Sequence, residues 1–230
     1  FLTPALILAL DRRRPLLAGL LLGAAMLGRL PVVLALPFLA ACYAGVPWPP
    51  RLGDLGDPTW LRPAIRRLLP LGAGLGALVV VYFGYNIARW GTFVDHGYTL
   101  IPGVLEDPLY VKHGIFALEY IPRHLYAILL RSWNWVDDPP FLQPSWWGLG
   151  LFLTTPLLAW IGRARWSDPR VGWAGVAIGA ILIPLVTHGN VGIAQFGYRF
   201  SLDLQPLLFL VVAIAVGPRM SRPAWLAAWA

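Results

Sequence analysis

The chain carries six apolar runs that contain no charged residue and are separated by arginine, proline or polar clusters. The runs cover 15–28, 32–47, 68–85, 146–161, 171–187 and 204–217. A helix needs roughly 20 apolar residues to cross a bilayer, and each run approaches that length. A soluble core cannot absorb so much apolar surface in a chain that is 58% hydrophobic and only 13% charged. The pattern predicts an all-α, polytopic transmembrane helical bundle.

The first two runs are too long to be one span. A single helix over 15–47 would be about 50 Å long at roughly 1.5 Å per residue, and Arg29-Leu30-Pro31 interrupts it. Both ends of the chain lie in apolar sequence, so we expect 1–230 to be one incomplete transmembrane domain cut at both ends. Cys42 is the single cysteine, so the chain has no disulfide framework.

The net charge of +7 is distributed in a way that indicates a membrane rather than nucleic acid. If 11–14 is cytoplasmic, alternation of the spans places 12 of the 18 basic residues on that side, as the positive-inside rule requires. They are Arg12, Arg13, Arg14, Arg51, Arg62, Arg66, Arg67, Arg163, Arg165, Arg170, Arg219 and Arg222. We therefore expect a multi-pass protein of the cell (inner or plasma) membrane, in contact with anionic membrane lipids and not with nucleic acid.

The same alternation places 86–145 and 188–203 on the extracytoplasmic side. The first of these is too long and too aromatic for a simple connector, so we expect an extracytoplasmic loop region that folds against the bilayer. We expect it to include an interfacial helix over 122–132, with Leu125, Ile128, Leu129 and Ser132 on one face and Arg123, Ala127 and Arg131 on another. Trp133, Trp135, Trp146 and Trp147 are typical of the headgroup layer, and Pro139-Pro140 and Pro144 mark the return into lipid. Gly72, Gly74 and Gly76 lie within a span and predict close helix packing rather than a nucleotide site.

The polar residues of the chain concentrate on the predicted outer face. All four histidines are there: His96, His113, His124 and His188. Their spacing does not define a metal site, so we assign none. The sequence His188-Gly189-Asn190 is compatible either with a helix exit or with a ligand set.

Two outer-face clusters carry the candidate functional residues. The first, over 85–98, offers Asn86, Arg89, Asp95, His96 and Tyr98. The second, over 195–206, offers Gln195, Tyr198, Arg199 and Asp203. Each arginine could be an interfacial anchor, but a guanidinium at the headgroup layer can also hold a phosphate bidentately. Asp203 could pair with Arg199 in a purely structural role.

These clusters resemble the outer-loop signatures of bacterial GT-C-type integral membrane glycosyltransferases, the family 39 and protein O-mannosyltransferase-like group. The first match is Tyr85-Asn86, Arg89, Gly91, Asp95 and Gly97-Tyr98, and the second is Gly197-Tyr198-Arg199, Asp203 and Pro206. A weaker likeness to the preceding helical pair covers 16–37, with Gly19, Gly23, Arg29-Leu30-Pro31 and Pro37. The resemblance extends over most of the chain.

The resemblance implies transfer of a sugar from a polyprenyl-phosphate donor to a lipid, glycan or protein acceptor on the extracytoplasmic face. Arg199 is then the first candidate for binding the donor phosphate, followed by Arg89, with Tyr198 beside them. The other residues of the two clusters would support them. The resemblance leaves open whether a divalent cation takes part. Arg199→Ala is expected to abolish transfer without loss of membrane insertion, and Arg123→Ala to matter little.

The chain departs from the family at the catalytic base. In the family the carboxylate that activates the acceptor belongs to the first outer loop, near the amino terminus, and that loop has no counterpart here. Asp95 and Glu106 are on the outer face, but no spacing identifies either as a general base. The catalytic residue is therefore unknown, and this chain alone should be inactive.

Two other functions remain as alternatives. A transporter or flippase of lipid-linked intermediates would share the phosphate-binding arginines, but ion-coupled transporters usually need charged groups at membrane depth, and the six runs have none. A non-catalytic membrane scaffold is the second alternative.

Overall fold

A computed structural model describes residues 1–50, 58–143, 145–218 and 220–229, and these residues are mostly helical. Arg51, Pro144 and Arg219, which the sequence places in loops, lie outside the described residues. Contacts divide the chain into two compact units. The first comprises Phe1–Asp107 with Trp166–Ile181, and the second comprises Pro108–Arg165 with Leu182–Ala230.

The first unit is built mainly from apolar helices. They are α1 Leu2–Leu10, α2 Pro15–Gly28, a 3-10 helix Leu30–Ala35, α3 Leu36–Ala44 and α4 Pro58–Trp90. Proline occupies the first position of α2, where its missing N–H costs no hydrogen bond. Arg29 is extended and ends α2, so the predicted break between the first two runs is confirmed.

Glycine brings α2 and α4 into close contact. The position of a Cβ on Gly19 is already occupied by the backbone of Leu71, and that of a Cβ on Gly74 by the backbone of Leu16. The prediction of close packing is therefore confirmed for Gly74. No described heavy atom lies within 4 Å of a Cβ built on Gly72 or Gly76, so the prediction is wrong for these two glycines.

Helix α4 is much longer than the predicted span 68–85. It has 33 residues, starts at Pro58 and continues to Trp90. The apolar run ends at the first arginine, but arginine and leucine are good helix formers, so the helix continues through the basic segment on its amino-terminal side. It stops at Gly91, which has a φ of 71° and donates its N–H to the carbonyl of Ile87 at 2.9 Å.

The second unit combines short helices with a small hairpin. Its elements before residue 166 are α5 Pro108–His113, a 3-10 helix Leu118–Tyr120, α6 Ile121–Leu129, strands β1 Asn134–Trp135 and β2 Leu142–Gln143, α7 Leu151–Thr154 and a 3-10 helix Pro156–Arg163. The long helix α8 Pro169–Thr187 leads from the first unit into the second. A 3-10 helix Arg199–Asp203, α9 Gln205–Val216 and α10 Arg222–Trp229 follow.

The run 146–161 does not form the single membrane-spanning helix that its apolarity predicts. Trp146 and Trp147 form a turn, and Leu149 forms a parallel bridge with Gly197. Gly148 has a φ of 86°, and Pro156 lacks the N–H that would continue α7. Backbone pairing and turn residues therefore override the apolar composition.

The helix predicted over 122–132 exists as α6, but its faces differ from the prediction. His124, Ala127 and Ile128 are buried, whereas Leu125 and Leu129, grouped with Ile128 in the prediction, are exposed. The buried stripe follows the i, i+3, i+4 spacing of one helix face, with a histidine in it.

Among the residues that the structure describes, two helices are long and apolar enough to cross a membrane. They are Trp60–Trp90 within α4 and Pro169–Thr187, which is α8. Only 17% of the most apolar window of the first is buried, whereas the core helix of a soluble protein is mostly buried. Its outward side chains include Val80, Val81 and Tyr85. Shorter apolar helices occur at Pro15–Gly28, Leu30–Ala44 and Gln205–Val216.

Candidate functional site

The second predicted cluster lies on the loop that links α8 to α9 in the second unit. This loop is held at both ends by backbone pairing. Near its start, Phe116 and His188 form an antiparallel bridge. Near its end, Leu149 N–H donates to the carbonyl of Phe196 at 2.8 Å, and Tyr198 N–H donates to the carbonyl of Leu149 at 3.1 Å. The backbone that leads into Arg199 is therefore fixed by non-local contacts.

Gln195 braces this loop with both ends of its amide. Its Nε2 donates to the carbonyl of Trp147 at 2.8 Å and to that of Val191 at 2.9 Å. Its Oε1 accepts the backbone N–H of Arg199 at 3.3 Å. Gln195 thus acts on the main chain of Arg199.

Arg199 presents its side chain to solvent from a fixed backbone. It is the first residue of the 3-10 helix Arg199–Asp203, which directly precedes apolar α9. Its side chain is exposed, and the guanidinium carbon lies 5.4 Å from the ring centroid of Phe200. A permanently charged, planar group with five N–H donors is therefore available at the entrance to α9.

Tyr198 points the other way and is almost fully buried, with 2% of its surface exposed. Its hydroxyl lies 2.6 Å from Nδ1 of His124, which is completely buried. Nε2 of His124 lies 2.6 Å from the carbonyl oxygen of His188. A carbonyl can only accept, so Nε2 carries the proton, and Nδ1 of the neutral ring accepts the hydroxyl proton of Tyr198.

Burial keeps the two histidines of this cluster neutral. Desolvation, with a smaller contribution from the nearby Arg123, lowers the pKa of His124 to about 4. Desolvation likewise lowers the pKa of His188, whose Nδ1 accepts the N–H of Asn190 at 3.0 Å. His188 and Asn190 thus form part of an ordered helix exit, which is one of the two alternatives that the sequence allowed for this segment.

Arg123 is a structural residue of the same cluster. One of its terminal nitrogens donates to the carbonyl oxygen of Gly189. The Cβ position of Gly189 is filled by the ring of Tyr110, which explains why glycine stands there. Arg123→Ala would therefore remove a hydrogen bond that holds the loop, a contact that the sequence did not reveal. Its effect on transfer, expected to be small, stays a prediction.

Asp203 and Ser201 lie inside the same segment. Asp203 has 3% of its surface exposed, and Ser201 donates its hydroxyl to the carbonyl of Tyr198 at 2.6 Å. These positions face the interior of the second unit while Arg199 faces outward. Of the predicted second cluster, Arg199 alone among its four residues is exposed.

The first predicted cluster lies in the first unit, on the last turns of α4 and the turns after it. Asn86 is buried and donates its amide to the carbonyl of Phe93 at 3.0 Å, which closes the turn at the end of the helix. Arg89 is exposed, with its guanidinium carbon 4.4 Å from the ring centroid of Trp90 and one terminal nitrogen 3.2 Å from the hydroxyl of Tyr85.

The remaining members of this first cluster make local turn contacts. Asp95 Oδ1 accepts the N–H of Gly97 at 2.8 Å. His96 Nε2 lies 3.2 Å from the hydroxyl of Thr92, and Tyr98 is half-buried beside it in sequence. These bonds shape the chain, and Arg89 is the cluster's exposed cation.

Sequence reasoning missed the role of His124. It considered His124 as a metal ligand and assigned it nothing, whereas the structure makes it the buried hydrogen-bonding centre of the second unit. The available signal was its place on the stripe with Ala127 and Ile128. Within the described parts of the chain, no group of three or more His, Cys, Asp or Glu side chains is arranged to hold a metal ion.

Comparison with known proteins adds no relative. No protein-family model, no curated protein and no solved structure shows significant similarity to the chain.

Proposed function

We propose that the chain is the carboxyl-proximal part of a polytopic GT-C-type membrane glycosyltransferase. It moves a sugar from a polyprenyl-phosphate donor to a lipid, glycan or protein acceptor on the extracytoplasmic face. The observation that carries the proposal is Arg199, an exposed guanidinium on a braced backbone at the start of an apolar helix. The likeness of both clusters to the outer loops of that family supplies the reaction.

The chemistry suits this arrangement. A lipid-linked donor lies with its isoprenoid chain in the bilayer and its phosphate in the headgroup layer, where the entrance to α9 would lie. Negative charge develops on the phosphate as the glycosidic bond breaks. A guanidinium whose backbone is already fixed stabilises that charge without reorganising during the reaction.

The other residues of the second cluster hold the backbone that carries Arg199. Gln195 fixes the main chain of Arg199, and Tyr198 commits its hydroxyl proton to His124. Tyr198 therefore positions the loop instead of donating to the phosphate. Arg89, exposed over Trp90, is the second candidate contact for the donor phosphate.

The acceptor side of the reaction lies elsewhere. The resemblance assigns the activating carboxylate to the first outer loop of the family, so this chain supplies the donor-phosphate side. Whether a divalent cation bridges donor and enzyme is a question for the transfer assay, run with and without chelator.

The test is a transfer assay with labelled polyprenyl-phosphate sugar on membranes that contain the full-length protein. Arg199→Ala is expected to lower transfer by about 100-fold or more, the loss typical of removing one preorganised donor to a developing oxyanion. Arg165→Ala, which removes the same charge from an exposed site on the predicted cytoplasmic side, should leave transfer unchanged. Full transfer by a membrane-inserted Arg199→Ala protein contradicts the assignment.

A further inference from the structure

His124 is a fully buried polar side chain in the second unit. Its side chain has no exposed surface and lies on the inner stripe of α6, where an apolar residue would ordinarily pack. Burying an imidazole is unfavourable unless its nitrogens find partners. Both ring nitrogens are bonded at 2.6 Å, one to Tyr198 and one to the carbonyl of His188.

The two partners of His124 lie at the two ends of one loop. His188 is the first residue after α8, and Tyr198 immediately precedes Arg199. Tyr198 is 74 residues from His124 in sequence, and His188 is 64 residues away. A single ring on α6 therefore ties together both ends of the loop that presents Arg199.

The direction of the hydrogen bonds makes this tie specific. Nε2 must carry a proton, because its carbonyl partner can only accept, and in the neutral ring the tyrosine hydroxyl then donates to Nδ1. Three groups close to the ring bear on its charge: Arg123 from the same helix, and His188 and Tyr198 from the loop. The cation of Arg123 opposes protonation of the ring, so it helps to maintain this one arrangement.

We propose that His124 is a positioning residue that holds the loop 188–199 through Tyr198 and the His188 carbonyl, and so sets the place of Arg199. What Arg199 binds rests on the proposed function. The tie itself does not, because it is a property of the loop's stability. The variants that isolate it are Tyr198→Phe, which removes one hydroxyl, His124→Phe, which keeps the ring shape without nitrogens, and His124→Gln, whose amide offers one donor and one acceptor.

Tryptic cleavage after Arg199 measures the loop directly. A protease needs an extended segment, so a braced loop is cut at a rate set by how often it opens. In the detergent-solubilised full-length protein, His124→Phe and Tyr198→Phe are each expected to speed cleavage after Arg199 by about tenfold, because each leaves buried polar groups unsatisfied. His124→Gln should be cut at close to the native rate.

Cleavage after the exposed Arg165 is the internal control and should be unchanged in every variant. The double variant His124→Phe with Tyr198→Phe should be cut no faster than His124→Phe, because both changes break the same bond. If His124→Phe also speeds cleavage after Arg165, this change has unfolded the protein, and the test then depends on the cleavage rate of Tyr198→Phe. Native cleavage after Arg199 in Tyr198→Phe overturns the proposal.

The transfer assay separates this proposal from the proposed function. If both are right, kcat falls in His124→Phe and is rescued in His124→Gln. If the native protein shows no transfer while the cleavage pattern holds, the function fails and the positioning role of His124 stands. If transfer depends on Arg199 but the cleavage rates do not change, the function stands and His124 is only a packed core residue.

Discussion

At the residue scale, the two buried histidines make stability depend on pH. The folded pKa of His124 is about 4, below its ordinary value of 6.5, because burial penalises the charged ring. Between these values the unfolded chain binds a proton that the folded chain does not. The stabilisation is therefore complete above pH 6.5 and is lost as the pH falls towards 4. At about 1.4 kcal/mol per pKa unit, His124 alone contributes a loss of up to roughly 3 kcal/mol.

The measurement is the unfolding midpoint in detergent at pH 7 and at pH 4.5, for the native protein and for His124→Gln. The native protein should lose more stability over this interval, because glutamine does not titrate. The lowered pKa of His188 acts in the same direction in both proteins, so it cancels in the difference. Equal losses in the two proteins contradict the prediction.

The same residues show what the sequence could and could not reveal. The exposure of Arg199 was predictable, because an arginine between a glycine-tyrosine pair and an apolar run is a local pattern. The hydrogen-bond partners of His124 were not predictable, because they are 74 and 64 residues away in the sequence and only the fold brings them together. For Tyr198, the sequence predicted a phosphate contact, and the structure instead buries its hydroxyl against His124.

At the element scale, the close contact of α2 with α4 makes Gly72, Gly74 and Gly76 of α4 differ in the side chains that they tolerate. Gly74→Ala places a Cβ on the backbone of Leu16 and should destabilise the protein by about 1–3 kcal/mol, the usual cost of overpacking. Gly72→Ala and Gly76→Ala meet no described atom within 4 Å and should stabilise the helix by roughly 0.5–1 kcal/mol each. Unfolding midpoints in one detergent compare the three variants, and equal shifts would contradict the packing.

Element boundaries were predictable where a breaker residue marks them. Arg29-Leu30-Pro31 marks the end of α2, and 171–187 closely matches α8. The sequence failed where apolarity was the sole guide. The predicted span in α4 was too short at both ends, because a charged residue interrupts an apolar run without interrupting a helix. It also predicted a span over 146–161, where strand-like pairing to the loop near Gly197 prevails.

At the scale of the whole molecule, the site assignment depends on which side of the membrane each unit's loops occupy. Helix α8 lies between Arg165 and Arg199 in the sequence and is long and apolar enough to cross a membrane, so we expect these two residues to face opposite sides. The distribution of arginines predicts that Arg165 faces the cytoplasm. Replacing Cys42 with serine removes the single cysteine of residues 1–230, so that Arg199→Cys and Arg165→Cys each carry one thiol within this chain. Both native side chains are exposed, so either thiol should react where the reagent reaches it.

An impermeant maleimide added to intact cells should label residue 199, and should label residue 165 only after the cells are permeabilised. The physical reason is that a lipid-borne phosphate donor used outside the cell requires the guanidinium at the outer headgroup layer, while a loop rich in arginine is retained in the cytoplasm. Labelling of both residues in intact cells contradicts the multi-pass topology. Labelling of residue 199 only after permeabilisation places Arg199 in the cytoplasm, where it cannot bind an extracytoplasmic donor, and removes the basis of the proposed function.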